Sequence, residues 1–175
     1  MTRLNPSPGS LSRDDFLASY GGIYESSPWV AEGVWERARR GELNEVDSLR
    51  GAMRDVVEGA GREKQIALVR AHPELASRAR VARNITSQSK AEQKGAGLDQ
   101  CSPEEFAEFV SLNRCYNEKF GFPFIIAVTG LDRQGVLSAF RRRIENEPDK
   151  EFATALVQIH RIAALRLAAM AKAEQ

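Results

Sequence analysis

Apolar residues in this chain recur mostly at spacings of three and four, the period of a helix with one buried face. Val46, Leu49, Met53, Val56 and Val57 show it most clearly; Asn44 can cap their helix, and Gly59 and Gly61 stop it. Ahead of it, Ser27-Pro28-Trp29 offers an N-cap and a first-turn proline before Val30, Val34 and Trp35, and Gly41 closes that helix. A short helix through Ile66, Leu68 and Val69 runs to His72, where Pro73 has no N–H to donate and the chain must bend. A second short helix is expected from Ser89, limited by Gly95 and Gly97. Ser102-Pro103 opens a stronger one with Phe106, Phe109, Val110, Asn113 and Tyr116 along one side, broken by Gly121 and Pro123. Helices resume over 136–144 and 149–171, separated by Glu147-Pro148.

The exception is 124–128, the one continuous β-prone run, which has no partner of similar character with which to build a sheet. The pattern therefore predicts an all-α, single-domain helical bundle of about seven to nine helices with one extended loop segment over 120–130. Residues 1–11 carry two prolines, a glycine and two serines, so a mobile tail that buries little is expected there, with structure starting at Ser12 and one domain over 12–175.

Composition narrows the function classes. The 175 residues are 42% hydrophobic and 28% charged, and 25 basic against 24 acidic side chains leave a net charge of +1. That profile fits one globular domain and gives no charge imbalance that would recruit nucleic acid or an anionic membrane. No apolar run is seen to approach the ~18 residues of a membrane span, and the N-terminus lacks a hydrophobic signal core, so a cytoplasmic protein is expected. Cys101 and Cys115 lack metal-site spacing and read as free thiols in a reducing compartment, with no metal implied.

Several residues carry candidate chemistry. His72, at the bend before Pro73, is either a cap or core histidine or an imidazole held at a cleft mouth, where a pKa of about 6.5 allows proton exchange near neutrality. Glu92 completes Ser89-x-x-Glu92, the capping-box pattern. Beside it Gln93 adds a second hydrogen-bonding side chain, and a helix N-terminus favours anions, so one turn can serve both purposes. Arg166 follows Ile162 by four and Ile159 by seven, on a stripe with Phe152, Ala155 and Met170. A guanidinium there needs an anionic partner, a structural carboxylate or a ligand, unless it extends over apolar carbons to solvent. The backbone of 124–128 has N–H and C=O groups that must find partners, and a planar polar ligand can supply them. Tyr116, His160, Trp29 and Trp35 sit where core packing is the expected role.

In their order and spacing these segments resemble the OHCU decarboxylases (2-oxo-4-hydroxy-4-carboxy-5-ureidoimidazoline decarboxylases), which complete the oxidation of urate to (S)-allantoin. The resemblance runs from Asp15 through Leu167. It rests on Gly22-Ile23-Tyr24-Glu25-Ser26-Ser27-Pro28-Trp29-Val30, His72-Pro73-Glu74-Leu75-Ala76, Ser89-x-x-Glu92-Gln93-x-x-Ala96-Gly97-Leu98, Leu112-Asn113-x-x-Tyr116-x-x-Lys119-Phe120-Gly121-Phe122-Pro123-Phe124-Ile125 and Leu165-Arg166-Leu167. It implies an all-helical enzyme without cofactor, in many members a homodimer, acting on a small ureidoimidazoline. His72 is implied as proton donor, with Glu92 and Arg166 as the other catalytic charges. Pro73, the turn Ser89, Lys90, Ala91, Glu92 and Gln93, and the segment Phe124, Ile125, Ile126, Ala127 and Val128 are implied as substrate contacts. Animal members tend to end in a peroxisomal address; this chain ends Ala171-Lys172-Ala173-Glu174-Gln175, which implies a bacterial cytoplasmic member.

The implied chemistry suits these residue types. Loss of CO₂ from the hydroxyl-bearing ring carbon sends electrons into the adjacent C=N, so the substrate is its own electron sink. Two alternatives differ in class. A helical ligand-binding module that has lost its chemistry would be marked by loss of His72, Glu92 or Arg166, and all three are present. A ureide hydrolase would need a nucleophile or metal to activate water, and two histidines and two cysteines without ligand spacing argue against it.

Overall fold

Ser12, Thr86, Ser102 and Asp132 each stand just before a helix and accept a hydrogen bond from the backbone N–H three residues on, at 3.2, 3.2, 3.1 and 2.8 Å. Each satisfies a donor that the first helical turn leaves without a partner. The computed structural model describes residues 2–76 and 86–171. These hold eight α-helices: α1 (Arg13–Tyr20), α2 (Trp29–Ala38), α3 (Val46–Glu58), α4 (Arg62–Arg70), α5 (Ser87–Gly95), α6 (Pro103–Phe120), α7 (Arg133–Arg143) and α8 (Pro148–Ala169). Single 3-10 turns lie at Pro8–Ser10 and Leu98–Gln100, and no strand occurs among the described residues. The fold is all-α, as the spacing predicts. Residues 172–175, which include the chain end weighed above, lie outside the described residues, as do 77–85.

The chain forms two compact units, Met1–Ala71 with His160–Gln175, and His72–Ile159. In the first, α1 buries Phe16 and Tyr20, α2 buries Val30, Ala31, Val34 and Ala38, and α3 buries Leu49, Ala52, Met53 and Val57. Gly33 lets α2 approach α3 closely, because a Cβ there would lie 2.9 Å from Val56 Cγ1. In the second, Tyr116, Phe120, Phe122, Phe124, Phe140 and Phe152 form an aromatic cluster in which Phe124 stacks on Phe140 at 3.9 Å.

Five expectations are corrected. The N-terminal segment is packed: Leu4 is 2% exposed, its N–H donates to Asn44 O at 3.0 Å, and Asn5 N–H donates to Met170 O at 2.9 Å. Asn44 is consequently not a cap; its Oδ1 accepts from Gly9 N–H at 2.8 Å, and Glu45 takes the N-cap position without a side-chain bond. α2 begins after Pro28, with no side-chain cap from Ser27. Val110 is 51% exposed, so the buried stripe of α6 is Phe109, Asn113 and Tyr116. Finally, α8 does approach a membrane span by length and composition, with 22 residues and a mean hydropathy of 1.2 over its best window. Its Phe152, Ala155, Ile159, Ile162, Ala163 and Leu167 are buried in the protein core.

Candidate active site

His72 stands two residues past α4, where Pro73 ends helical bonding, and it is 8% exposed. The loop it opens is fixed from two helices of its own unit. Gln93 of α5 accepts from Ala76 N–H at 3.2 Å and donates to Glu74 O at 3.4 Å. From α6, Asn113 donates to Leu75 O at 2.9 Å, and Asn117 donates to the Glu74 carboxylate at 2.6 Å. These bonds hold Ala76 at φ +51°, a left-handed conformation that an alanine does not adopt without support. Pro73 is half-buried.

The helix carrying Glu92 does not start where its sequence signature suggests. Thr86 is the N-cap of α5, so Ser89 lies three residues inside the helix and Glu92 in its second turn. The Ser89-x-x-Glu92 capping box is therefore not formed. That signature is realised instead at Ser102-x-x-Glu105, where Ser102 Oγ accepts from Glu105 N–H and Glu105 Oε2 accepts from Ser102 N–H at 3.0 Å. Ser89 is buried, Glu92 and Gln93 are half-buried, and Lys90 and Ala91 are exposed. Both ends of the Gln93 amide bond the His72 loop, a positioning task that its sequence did not reveal.

The segment 124–128 follows the α6 C-cap Gly121 (φ +73°) and belongs to no helix or strand. Phe124, Ile125, Ala127 and Val128 are buried, whereas Ile126 is half-buried. Two of its backbone groups find side-chain partners, as the absence of a sheet neighbour requires. Arg143 of α7 donates to Ile125 O at 2.6 Å, and Gln158 of α8 accepts from Ala127 N–H at 3.0 Å.

Arg166 lies in the other unit, 6% exposed on α8. Its Nη1 donates to Glu25 Oε2 at 2.9 Å and to Gly22 O at 3.2 Å. Of the partners open to a buried guanidinium, the protein supplies a carboxylate, Glu25, which is 1% exposed. His160 is a packed residue bonded through Nδ1 to the Tyr24 hydroxyl at 2.8 Å. Burial lowers its pKa below the usual imidazole value, and Arg54 lowers it further. Tyr116 is fully buried and donates to Glu151, and both burial and that carboxylate raise its pKa. Cys101 and Cys115 are free thiols.

Arg143, Glu151 and Gln158 are the residues that sequence reasoning missed. Arg143 is 6% and Glu151 0% exposed, paired at 2.6 Å. A signal existed: Arg143 is three residues after Phe140 and seven after Val136, on the buried stripe of α7. It was masked because Arg141-Arg142-Arg143 looks like a solvated run.

Comparison with known proteins gives one family. The OHCU decarboxylase family model matches residues 9–168. A 2-oxo-4-hydroxy-4-carboxy-5-ureidoimidazoline decarboxylase from Haloferax volcanii is 45% identical over 159 residues, covering 90% of each chain. The mouse protein of that name is 32% identical and covers 90% of this chain and 87% of its own. Among solved structures, an (S)-allantoin synthase is 30% identical with a TM-score of 0.74, over 93% of this chain and 52% of that one. An OHCU decarboxylase determined in the presence of (S)-allantoin is 25% identical with a TM-score of 0.59, over 78% and 91%. With the motifs around His72, Glu92 and Arg166 all inside the matched span, this chain belongs to the OHCU decarboxylase family.

Proposed function

We propose that this protein is the decarboxylase that converts 2-oxo-4-hydroxy-4-carboxy-5-ureidoimidazoline to (S)-allantoin and CO₂ in urate degradation. The observation that carries this reading is the family match over 9–168, which takes in every candidate residue named above. In the proposed reaction the bond from the hydroxyl-bearing ring carbon to its carboxylate breaks, and the electron pair moves into the adjacent C=N. The intermediate has a double bond between the hydroxyl-bearing and ureido-bearing carbons, and the ring nitrogen takes up a proton. As the hydroxyl loses its proton to become the carbonyl, the ureido-bearing carbon gains one and becomes the stereocentre of the product.

The residue roles follow from their chemistry. His72 gives the proton to one face of the ureido-bearing carbon, which sets the handedness. Glu92 accepts the hydroxyl proton or holds the ureido N–H groups. Arg166 fixes the substrate carboxylate or the developing oxyanion through a planar, charge-assisted contact. Pro73, Ser89, Lys90, Ala91 and Gln93 shape the pocket around the ring, and 124–128 presents backbone groups to the ureide. The same reading carries a cytoplasmic homodimer, which light scattering and cell fractionation check.

The test generates the substrate from urate with urate oxidase and hydroxyisourate hydrolase, then follows the circular dichroism of (S)-allantoin. The parent should accelerate its appearance, and His72→Ala and Glu92→Ala should each lose about 10²- to 10³-fold in rate while staying folded. A parent no faster than the spontaneous racemic decay would leave a ligand-binding module on this scaffold. Folded variants within a few-fold of the parent would remove their residues from the catalytic set.

A further inference from the structure

The backbone of 124–128 is held by side chains rather than by a neighbouring strand, and the way it is held has direction. Arg143 directs Nη1 to Ile125 O at 2.6 Å, and Nε and Nη2 to Glu151 Oε1 at 2.9 and 2.6 Å. The guanidinium carbon also lies 4.5 Å from the centre of the Phe124 ring. Glu151 is oriented in turn by the Tyr116 hydroxyl and by Asn146 Nδ2 at 2.7 Å. Two residues beyond Ile125, Gln158 accepts from Ala127 N–H at 3.0 Å, and Leu131 N–H closes the segment on Val128 O at 2.9 Å. Ile126, between the two held groups, is the one residue of 122–128 that is not buried.

A buried ion pair adds little stability that well-packed apolar side chains would not also give, so its distinctive contribution is geometric. A guanidinium's donors form a rigid fork, and holding Glu151 with two of them fixes the aim of the third. In an extended chain successive residues face opposite sides. Pinning Ile125 and Ala127 in such a chain turns the N–H and C=O of Ile126 away from Arg143 and Gln158.

We propose that Arg143, braced by Glu151, and Gln158 are positioning residues that set the register of 124–128, so that Ile126 presents its backbone donor and acceptor to the planar ureide of the substrate. The inference rests on the decarboxylase reading and adds the residues that shape its binding edge. Neither side chain touches the reacting atoms. Their effect falls on the ureide, which is held in the ground state as well as in the transition state, so KM should move more than kcat.

The experiment uses Gln158→Met, which removes the acceptor at a half-buried position, and Gln158→Glu, which restores one. Because Arg143→Met alone strands a buried carboxylate, it is combined with Glu151→Gln to keep the protein folded. Gln158→Met and the double variant should each raise KM by about tenfold, the scale of one well-placed hydrogen bond, with kcat changing less. Gln158→Glu should return KM to within about twofold of the parent. Hydrogen exchange on the ligand-free protein should speed up at 124–128 in Gln158→Met, a readout that needs no turnover. Folded variants with parental KM and parental exchange would overturn the positioning role while leaving the decarboxylase reading intact. A parent that does not accelerate the reaction would overturn both, and the exchange data would then describe only a structural clamp.

Discussion

Two buried arginine–glutamate pairs occupy different parts of this molecule and are built differently. Arg166 reaches Glu25 across 141 residues of sequence, and the side chains are 4% and 1% exposed. Arg143 reaches Glu151 across eight residues, at 7% and 0%. The second pair is enclosed by Tyr116, Asn146 and the Ile125 carbonyl, a closed set of neutral partners for both charges. The first sits within motifs, around Glu25 and Arg166, that carry the family resemblance. Similar exposure and similar charge thus accompany two tasks: a fixed backbone in one case and, in the reading above, substrate handling in the other.

The sharpest way to break this comparison is to remove one partner from the enclosed pair. Arg143→Met should cost about 3–5 kcal/mol in urea unfolding, because Glu151 is left charged in the core, whereas Arg143→Met with Glu151→Gln should recover most of the loss. Equal stability of single and double variants would show that the pair is not a closed unit. Next in size, Arg166→Lys keeps the charge beside Glu25 but loses the fork; turnover should fall about 10²-fold with the fold retained. Near-parental turnover would make Arg166–Glu25 a structural pair like the other.

A smaller effect separates the two serine–glutamate signatures. Ser102→Ala and Thr86→Ala should each lose about 1 kcal/mol of stability as caps, while Ser89→Ala removes no cap. An equal loss at Ser89 from the cap alone would return the capping box to Glu92. The smallest effect concerns His160, next to Tyr24, Arg54 and Glu58. Its folded pKa is lowered, so below the unfolded value of about 6.5 the unfolded chain binds a proton that the folded one resists. The stability contribution is full above about 6.5 and falls as pH drops through that value toward the lower folded pKa. Urea midpoints should therefore decline between about pH 7.5 and about pH 5.5 in the parent, and less in His160→Gln.

Helix content was legible because burial on one face leaves a period in the sequence, as the Leu49, Met53 and Val57 stripe of α3 shows. Cap assignment was legible only where one reading was available. Ser102-Pro103 had a single reading and formed, whereas Ser89-x-x-Glu92 competed with Thr86 three residues earlier and lost. The N-terminal segment failed differently. Its prolines and serines suggested little to bury, yet Leu4 and Pro8 are buried because Asn44 and the end of α8 supply hydrogen-bond partners distant in sequence.

The candidate site divides along the same line. His72, Glu92 and Arg166 stood out because a proline bend, a capping signature and a charge on an apolar stripe are local anomalies. Gln93, Asn113 and Asn117 did not stand out as supports of the His72 loop, since their partners, backbone atoms and the Glu74 carboxylate, lie 17 to 43 residues away. Arg143 was hidden by its charged neighbours. The sequence by itself determined the helical class, the approximate helix positions and the kinds of side chain available for proton transfer, because period and intrinsic pKa are properties of residues and their near neighbours. Only the tertiary structure decided which glutamate completes a capping box, which carboxylate meets each buried guanidinium, and which backbone groups of 124–128 are held. Those outcomes depend on burial and on partners brought together by folding.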